Sequence, residues 1–191
     1  MKEILLLGGG GHCKSVIDVI EQEGKYTIIG ILDNDLSKKG TNILGYEIIG
    51  TDKDINTYRC EYAFVTVGQL YSSVTRYILQ SRIIMYGFIL PTIISPRAYV
   101  SKHASIGRGT VIMHDTVVNA GASIGNNCII NTKALIEHDA VIEDNCHIST
   151  SAIVNGGVTI GNGTFYGSNA TSKQMCKVSQ NNFIKAGSVV V

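Results

Sequence analysis

The chain has 191 residues, 45% hydrophobic and only 16% charged, enough to bury one large core or two modest ones. A formal net charge of +1 and the lack of any Lys/Arg run exclude the basic footprint of a nucleic-acid or anionic-membrane binder. The five cysteines, Cys13, Cys60, Cys128, Cys146 and Cys176, are odd in number and contain no C-x-x-C pair, which excludes a zinc ribbon and a disulfide framework.

The opening MKEILLLGGGGH has four consecutive apolar residues, Ile4 to Leu7. That is too few for a signal h-region or a membrane span, so a cytoplasmic protein without membrane insertion is expected. EILLL reads as a buried strand and GGGGH as a turn. CKSVIDVIEQEG then carries helical spacing at Val16, Val19 and Ile20, with Gly24 as its stop. YTIIGILDND is a second strand ending in acids, and EYAFVTVG is a third, followed by a helix through Arg76 and Leu79. Strands alternating with helices predict a Rossmann-like α/β domain with a parallel sheet over residues 1–90.

The turn Gly8-Gly9-Gly10-Gly11-His12 lies between a strand and a helix, where backbone N–H groups can cradle a phosphate. The dinucleotide fingerprint G-x-G-x-x-G fails, because Cys13 or Lys14 falls in its third glycine place. NAD is therefore discounted. The plainer alternative is a glycine turn that serves only the chain's own tight reversal, with His12 capping the helix start.

From Ile94 a different grammar begins. Stepping by six to Val190 meets Ile or Val at every stop except Tyr166 and Ser172, with no insertion. Four residues after each stop sits a mostly small residue, such as Ala98, Thr110, Cys128, Ala134 and Cys146. This period fits a chain wound into a three-faced prism, eighteen residues to the coil, over residues 91–191. Cys128, Cys146 and Cys176 all take the small inward slot and read as packing residues.

Repeats such as IGRGTV, IGNNCI and IGNGTF resemble those of hexapeptide-repeat acyltransferases, which form left-handed parallel β-helices and assemble as trimers. The whole layout resembles one bacterial sugar acetyltransferase family: a GGH-containing Rossmann-like half, D-N-D after the second strand, V-G-Q after the third, then the prism. That family contains sialic acid O-acetyltransferases and N-acetyltransferases of nucleotide-linked 4-amino-4,6-dideoxy sugars, which contribute to cell-surface glycans. The resemblance implies acetyl-CoA as cosubstrate, no metal, and a nucleotide-sugar or sialic acid acceptor. It implicates Gly11, His12, Asp33, Asp35 and Gly68 in holding the nucleotide, with Arg76 as a weaker phosphate contact. The family's catalytic pattern N-x6-H-[DE]-x7-H is met by Asn131, His138, Asp139 and His147. It implies His138 as general base, Asp139 as its orienting acid, His147 as a contact to the acetyl carbonyl, and Asn131 as part of the acceptor pocket. Family members continue past this chain's final AGSVVV with a V-x-G-x-P-A-K type segment that contributes to the coenzyme A site.

Asp139 reaches His138 only if the chain turns there, since neighbours on a strand point to opposite faces. Nine residues is half a coil, so His138 and His147 of one chain fall on opposite sides of the prism, both expected to point outward. A site using both then lies between subunits, and a homotrimer with three intersubunit sites is expected. The same arithmetic stacks Gly156 on His138, and Ser149, Gly167 and Lys185 on successive coils. That column suits a pantetheine groove, with the Gly156 N–H at the oxyanion and Lys185 at a phosphate, although small turn residues are equally expected for structure alone. Two rivals stand beside this. A zinc lyase on the same prism needs a compact histidine pair, which neither His138 with His147 nor His103 with His114 supplies. A non-catalytic sugar-nucleotide-binding scaffold would use the repeats for structure alone.

Overall fold

The computed structural model describes residues 1–191 and divides into two compact units: Met1–Gly68 with Val74–Pro91, and Gln69–Ser73 with Thr92–Val191. The short strap Gln69–Ser73 thus belongs to the second unit, although it lies inside the N-terminal half of the sequence.

In the first unit, β1 (Lys2–Leu7) leads through the glycine turn into α1 (Gly11–Glu23), then β2 (Tyr26–Leu32). A hairpin follows, β3 (Asn42–Ile43) and β4 (Tyr46–Gly50), then β5 (Tyr62–Val65) and α2 (Val74–Met85). The sheet order is β3-β4-β2-β1-β5, parallel except for the β3–β4 pair. The expected parallel sheet is present, with one antiparallel edge strand, β3, added to it. Its added edge arises at Leu44-Gly45, where both residues have positive φ (50° and 90°), the twist a two-residue hairpin turn requires.

Ile4 to Leu7 of β1 are fully buried, as are Cys13, Val16, Ile17 and Val19 on the inner face of α1. Each such side chain contributes about 1.5–3 kcal/mol relative to exposure. Gly24 ends α1 in the left-handed region (φ 67°), its N–H donating to Ile20 O at 3.0 Å. Gly10, not His12, occupies the N-cap, and no side chain caps that end.

The second unit is a parallel β-helix with three faces. One face stacks Ile93–Ile94, Val111–Ile112, Ile129–Ile130, His147–Ile148, Phe165–Tyr166 and Phe183–Ile184. Every ladder pairing joins residues eighteen apart, as in Ile129↔His147 and Leu135↔Ile153. The column from Ile112 to Ile160 forms the interior together with Cys128, Cys146 and the small alanines. The two exceptions in the aliphatic column compensate each other: Tyr166 fills the interior and the next step, Ser172, makes room for it. Burial pushes the Tyr166 phenol up to about 12.

Corners are made by the backbone. Every sixth residue from Gly109 to Gly187 has a positive φ, between 53° and 78°. Glycine, Asn and Asp dominate these positions because they tolerate the left-handed region. Asp139 (φ 59°) is one of them.

Candidate active-site residues

In the first unit β1 lies between β2 and β5, so the chain's winding reverses there and a crevice opens beyond the strands' carboxyl ends. The glycine turn fills this position. Gly8 has φ 115°, and a Cβ on it would lie 2.4 Å from Val67 Cγ2, so only glycine fits. Gly10 and Gly11 face open space, and Gly68 packs against His12, its virtual Cβ 3.5 Å from that of the histidine. The structure therefore gathers Gly11, His12 and Gly68 around the N-terminus of α1.

Asp33 first serves the chain itself. Its Oδ2 accepts from Gly9 N–H (2.7 Å) and Lys38 Nζ (3.2 Å), and its Oδ1 from Asp35 N–H (2.9 Å). Burial alone would raise this carboxyl, but the Asp35 and Gly9 N–H groups and the Lys38 ammonium outweigh it and hold it below its ordinary value. Asp35 is exposed and caps the following turn through Ser37, whose hydroxyl and N–H lower its carboxyl too. A cavity of about 160 Å³ beside the turn is lined by Gly8, Asp33, Asn34, Asp52 and Val67 among others.

Arg76 does not face this crevice as a phosphate ligand would. It is fully buried, and its Nη1 donates to Val67 O (2.6 Å) and Val65 O (3.4 Å). Helical spacing gave no hint that a guanidinium is consumed in satisfying the carbonyls after β5.

In the β-helix, His138 stands on a corner with its side chain 63% exposed. The turn that a straight strand would lack is present: Asp139 takes its positive φ, and its Oδ2 lies 2.9 Å from His138 Nδ1. A carboxylate only accepts, so Nδ1 carries the proton and Nε2 keeps its lone pair. The Asp139 hydrogen bond raises the His138 pKa above its ordinary value. Glycines on the coils to either side make room for both groups. A Cβ on Gly156 would lie 2.6 Å from His138 Nε2, and one on Gly121 2.4 Å from Asp139 Oδ1.

His147 points away from the prism interior as expected, alternating with inward Ile148, but it is buried, only 8% exposed. The strap Gln69–Ser73 covers it: His147 Nδ1 lies 2.7 Å from Gln69 O, and Gln69 Nε2 donates to Gly163 O at 3.2 Å. Phe165 meets the imidazole edge-on, Phe183 stacks on Phe165, and Tyr71 of the strap stacks on Phe183. His147 Nε2 lies 3.1 Å from Asn131 Nδ2, and Asn131 Oδ1 accepts from Thr132 N–H at 2.8 Å.

Ser149, Gly167 and Lys185 do stack on successive coils, through Ser149 N–H to Tyr166 O (2.8 Å) and Gly167 N–H to Ile184 O (3.0 Å). A Cβ on Gly167 would strike the next coil's backbone at 2.6 Å, so packing alone demands that glycine. Asn131 begins the same column one coil earlier, its N–H donating to Ile148 O at 2.8 Å. Sequence reasoning missed Gly121 and Thr132, and gave Gln69, the last residue of V-G-Q, no role. Gly121 was findable from the six-residue corner series, but nothing local marked Gln69 as a partner of a residue 78 positions away. No group of three His, Cys, Asp or Glu side chains is placed to hold a metal ion, and no helix is long and apolar enough to cross a membrane.

Residues 3–72 match the family described as PglD N-terminal domain, and residues 103–138 match the bacterial transferase hexapeptide (six repeats). The whole chain superposes on a variant of perosamine N-acetyltransferase from Caulobacter crescentus in complex with CoA and GDP-perosamine, at 30% identity, TM-score 0.93, covering 89% of that chain. It also superposes on the acetyltransferase domain of PglB from Neisseria gonorrhoeae in complex with acetyl coenzyme A, at 32% identity, TM-score 0.91, covering 91% of that chain. An uncharacterized protein of Acanthamoeba polyphaga mimivirus is 33% identical over 111 residues, and the match spans only 21% of that viral protein's length. The chain belongs to the hexapeptide-repeat sugar acetyltransferase family, and its second unit is a left-handed parallel β-helix of the acyltransferase kind.

Proposed function

We propose that the protein transfers an acetyl group from acetyl-CoA directly to the 4-amino group of a nucleotide-linked amino-dideoxy sugar, with His138 as general base. The observation that carries this is the His138–Asp139 pair, whose 2.9 Å contact places the neutral ring's proton on Nδ1 and its Nε2 lone pair on an exposed corner. As the amine nitrogen attacks the thioester carbon, Nε2 takes the amine proton and Asp139 stabilises the imidazolium. The tetrahedral intermediate then collapses, the C–S bond breaks, and the same proton goes to the departing thiolate. The products are the N-acetylated sugar and coenzyme A. No covalent enzyme intermediate is needed, which agrees with the burial of Cys128 and Cys146 in the prism interior.

The acceptor's nucleotide is held by the first unit, with Gly11, His12 and Gly68 at the pyrophosphate and exposed Asp35 at the hydroxyls. Asp33 acts from behind by fixing Gly9. The Ser149–Gly167–Lys185 column receives the pantetheine arm, with Lys185 at a phosphate. In this reading the working unit is a homotrimer, since His138 and His147 lie half a coil apart. The GDP-perosamine complex of the Caulobacter relative favours a nucleotide-linked amine over free sialic acid. Thiol release from acetyl-CoA, measured over a panel of UDP-, GDP- and CMP-sugars with free sialic acid beside them, tests the reading. Turnover with a nucleotide amino sugar is expected, reduced in His138→Ala to a small residual rate with binding retained. Turnover of sialic acid alone would replace it with O-acetylation, and binding without turnover in any arm would make the protein a scaffold.

A further inference from the structure

The contacts of His147 form a chain whose polarity is dictated at both ends. Gln69 O is a backbone carbonyl and can only accept, so His147 Nδ1, 2.7 Å away, carries the proton. The neutral imidazole then has a lone pair on Nε2, which accepts from Asn131 Nδ2 at 3.1 Å. The other end agrees independently: Thr132 N–H can only donate, and it donates to Asn131 Oδ1 at 2.8 Å, which puts the amide nitrogen on the His147 side. An amide nitrogen has two hydrogens, and His147 takes one. Asn131 also opens the column that continues through Ser149, Gly167 and Lys185, three coils of roughly 4.8 Å each.

We infer that the second N–H of Asn131 is the donor that meets the acetyl carbonyl and its developing oxyanion, while His147 is a positioning residue that aims it. This rests on the acetyl-transfer reading above and changes who does what within it. A neutral His147 cannot donate from Nε2, whereas Asn131 Nδ2 can. The amide is held at both of its atoms before any ligand arrives, so its orientation costs nothing during the reaction, which is the condition for effective oxyanion stabilisation. Gln69, directly after the Gly68 turn, is the anchor of the series. The step itself leaves Asn131 unchanged, since it lends a hydrogen bond and forms no covalent bond.

The test combines two variants with a direct view of the imidazole. Asn131→Ala lowers kcat by about 10²–10³-fold with the acetyl-CoA KM little changed, the loss typical of one oxyanion donor. Asn131→Asp keeps the acceptor for Thr132 N–H but removes the donor, and it loses activity to a similar extent while drawing a proton onto His147 Nε2. Nitrogen-15 NMR of histidine-labelled protein saturated with coenzyme A reads this tautomer: Nδ1–H with an unprotonated Nε2 in the native chain, and both nitrogens protonated in Asn131→Asp. Wild-type kcat in either variant, or a protonated Nε2 in the native complex, overturns the inference. Failure of coenzyme A to bind at all, read by calorimetry, overturns the acetyl-transfer reading itself and this inference with it.

Discussion

Replacing Gly156 with alanine tests whether the scaffold, and not the His138–Asp139 pair alone, sets the base's position. Gly156 has an ordinary backbone conformation, so alanine is unstrained there, and its N–H is kept. The added Cβ would lie 2.6 Å from His138 Nε2 and 2.7 Å from Cε1. Such contacts relax near ~3.5 Å, so the ring must retreat by about 0.9 Å. Its Nδ1 starts 2.9 Å from Asp139 Oδ2, and a retreat of that size takes the pair to roughly 3.5 Å or beyond, outside hydrogen-bond range. A displacement of about 1 Å in a reacting group costs on the order of 100-fold in rate. That loss in kcat corresponds to about 2.7 kcal/mol of transition-state stabilisation. Because the His138 side chain is 63% exposed, the ring swings into solvent and thermal stability stays within about 0.5 kcal/mol of the parent. Thiol release under saturating acetyl-CoA reads the rate, and a thermal melt reads the fold. Gly156→Ala added to a His138→Ala background should cost nothing further, because both remove the same interaction. A near-native kcat in the single variant, or an equal loss in both backgrounds, would refute the reasoning.

Asp139→Asn removes the negative charge behind the contact that raises the His138 pKa. The base works neutral, so kcat/KM rises with pH through that pKa. The variant's rising limb therefore moves to lower pH, while its plateau drops; a pH–rate profile with an unmoved limb would discard the pair. Arg76→Leu strips the Val65 and Val67 carbonyls of their donor. It should destabilise the first unit by about 3 kcal/mol, read as a lowered urea midpoint, with no selective loss of nucleotide-sugar affinity in the folded fraction. Mixing two inactive variants, His138→Ala and Asn131→Ala, in one preparation tests the shared site. If one subunit supplies each residue, up to about a quarter of native activity returns in randomly mixed assemblies; no recovery means both residues act within one chain.

The prism was legible because its rule is strictly local. An inward Ile or Val and a small residue four places on recur in register, and Cys128 and Cys146 fall into the core where that rule sends them. Its corners are also written in the sequence, as mostly glycine, Asn and Asp at every sixth place from Gly109, broken only by Lys133, Ser151 and Met175. That series places a corner at Asp139, the bend that lets its carboxylate meet His138. The hairpin Asn42–Gly50 was less visible, because its turn uses Leu44 in a conformation leucine seldom adopts. The burials of His147 and Arg76 were beyond pattern reading altogether. Each depends on a segment that returns from elsewhere: the strap at Gln69–Ser73 for one, and the loop after β5 for the other.

Under the proposed reaction, one scaffold gives the two histidines of the motif different tasks. Both carry their proton on Nδ1, His138 because a carboxylate accepts there and His147 because a backbone carbonyl does. The partners differ in charge, and that difference decides the chemistry. In the proposed reaction Asp139 stabilises the imidazolium while His138 takes a proton and returns it. Gln69 O is neutral, and Asn131 already points an N–H at the far nitrogen of His147, so a second proton there would set two donors face to face. The proposed reaction accordingly keeps the His147 proton on Nδ1 and assigns the transferred proton to His138. A pattern of Asn, His, Asp and His at fixed spacing records which residues are present, but the order of proton donors and acceptors along each chain of contacts determines which of them does the acid–base work.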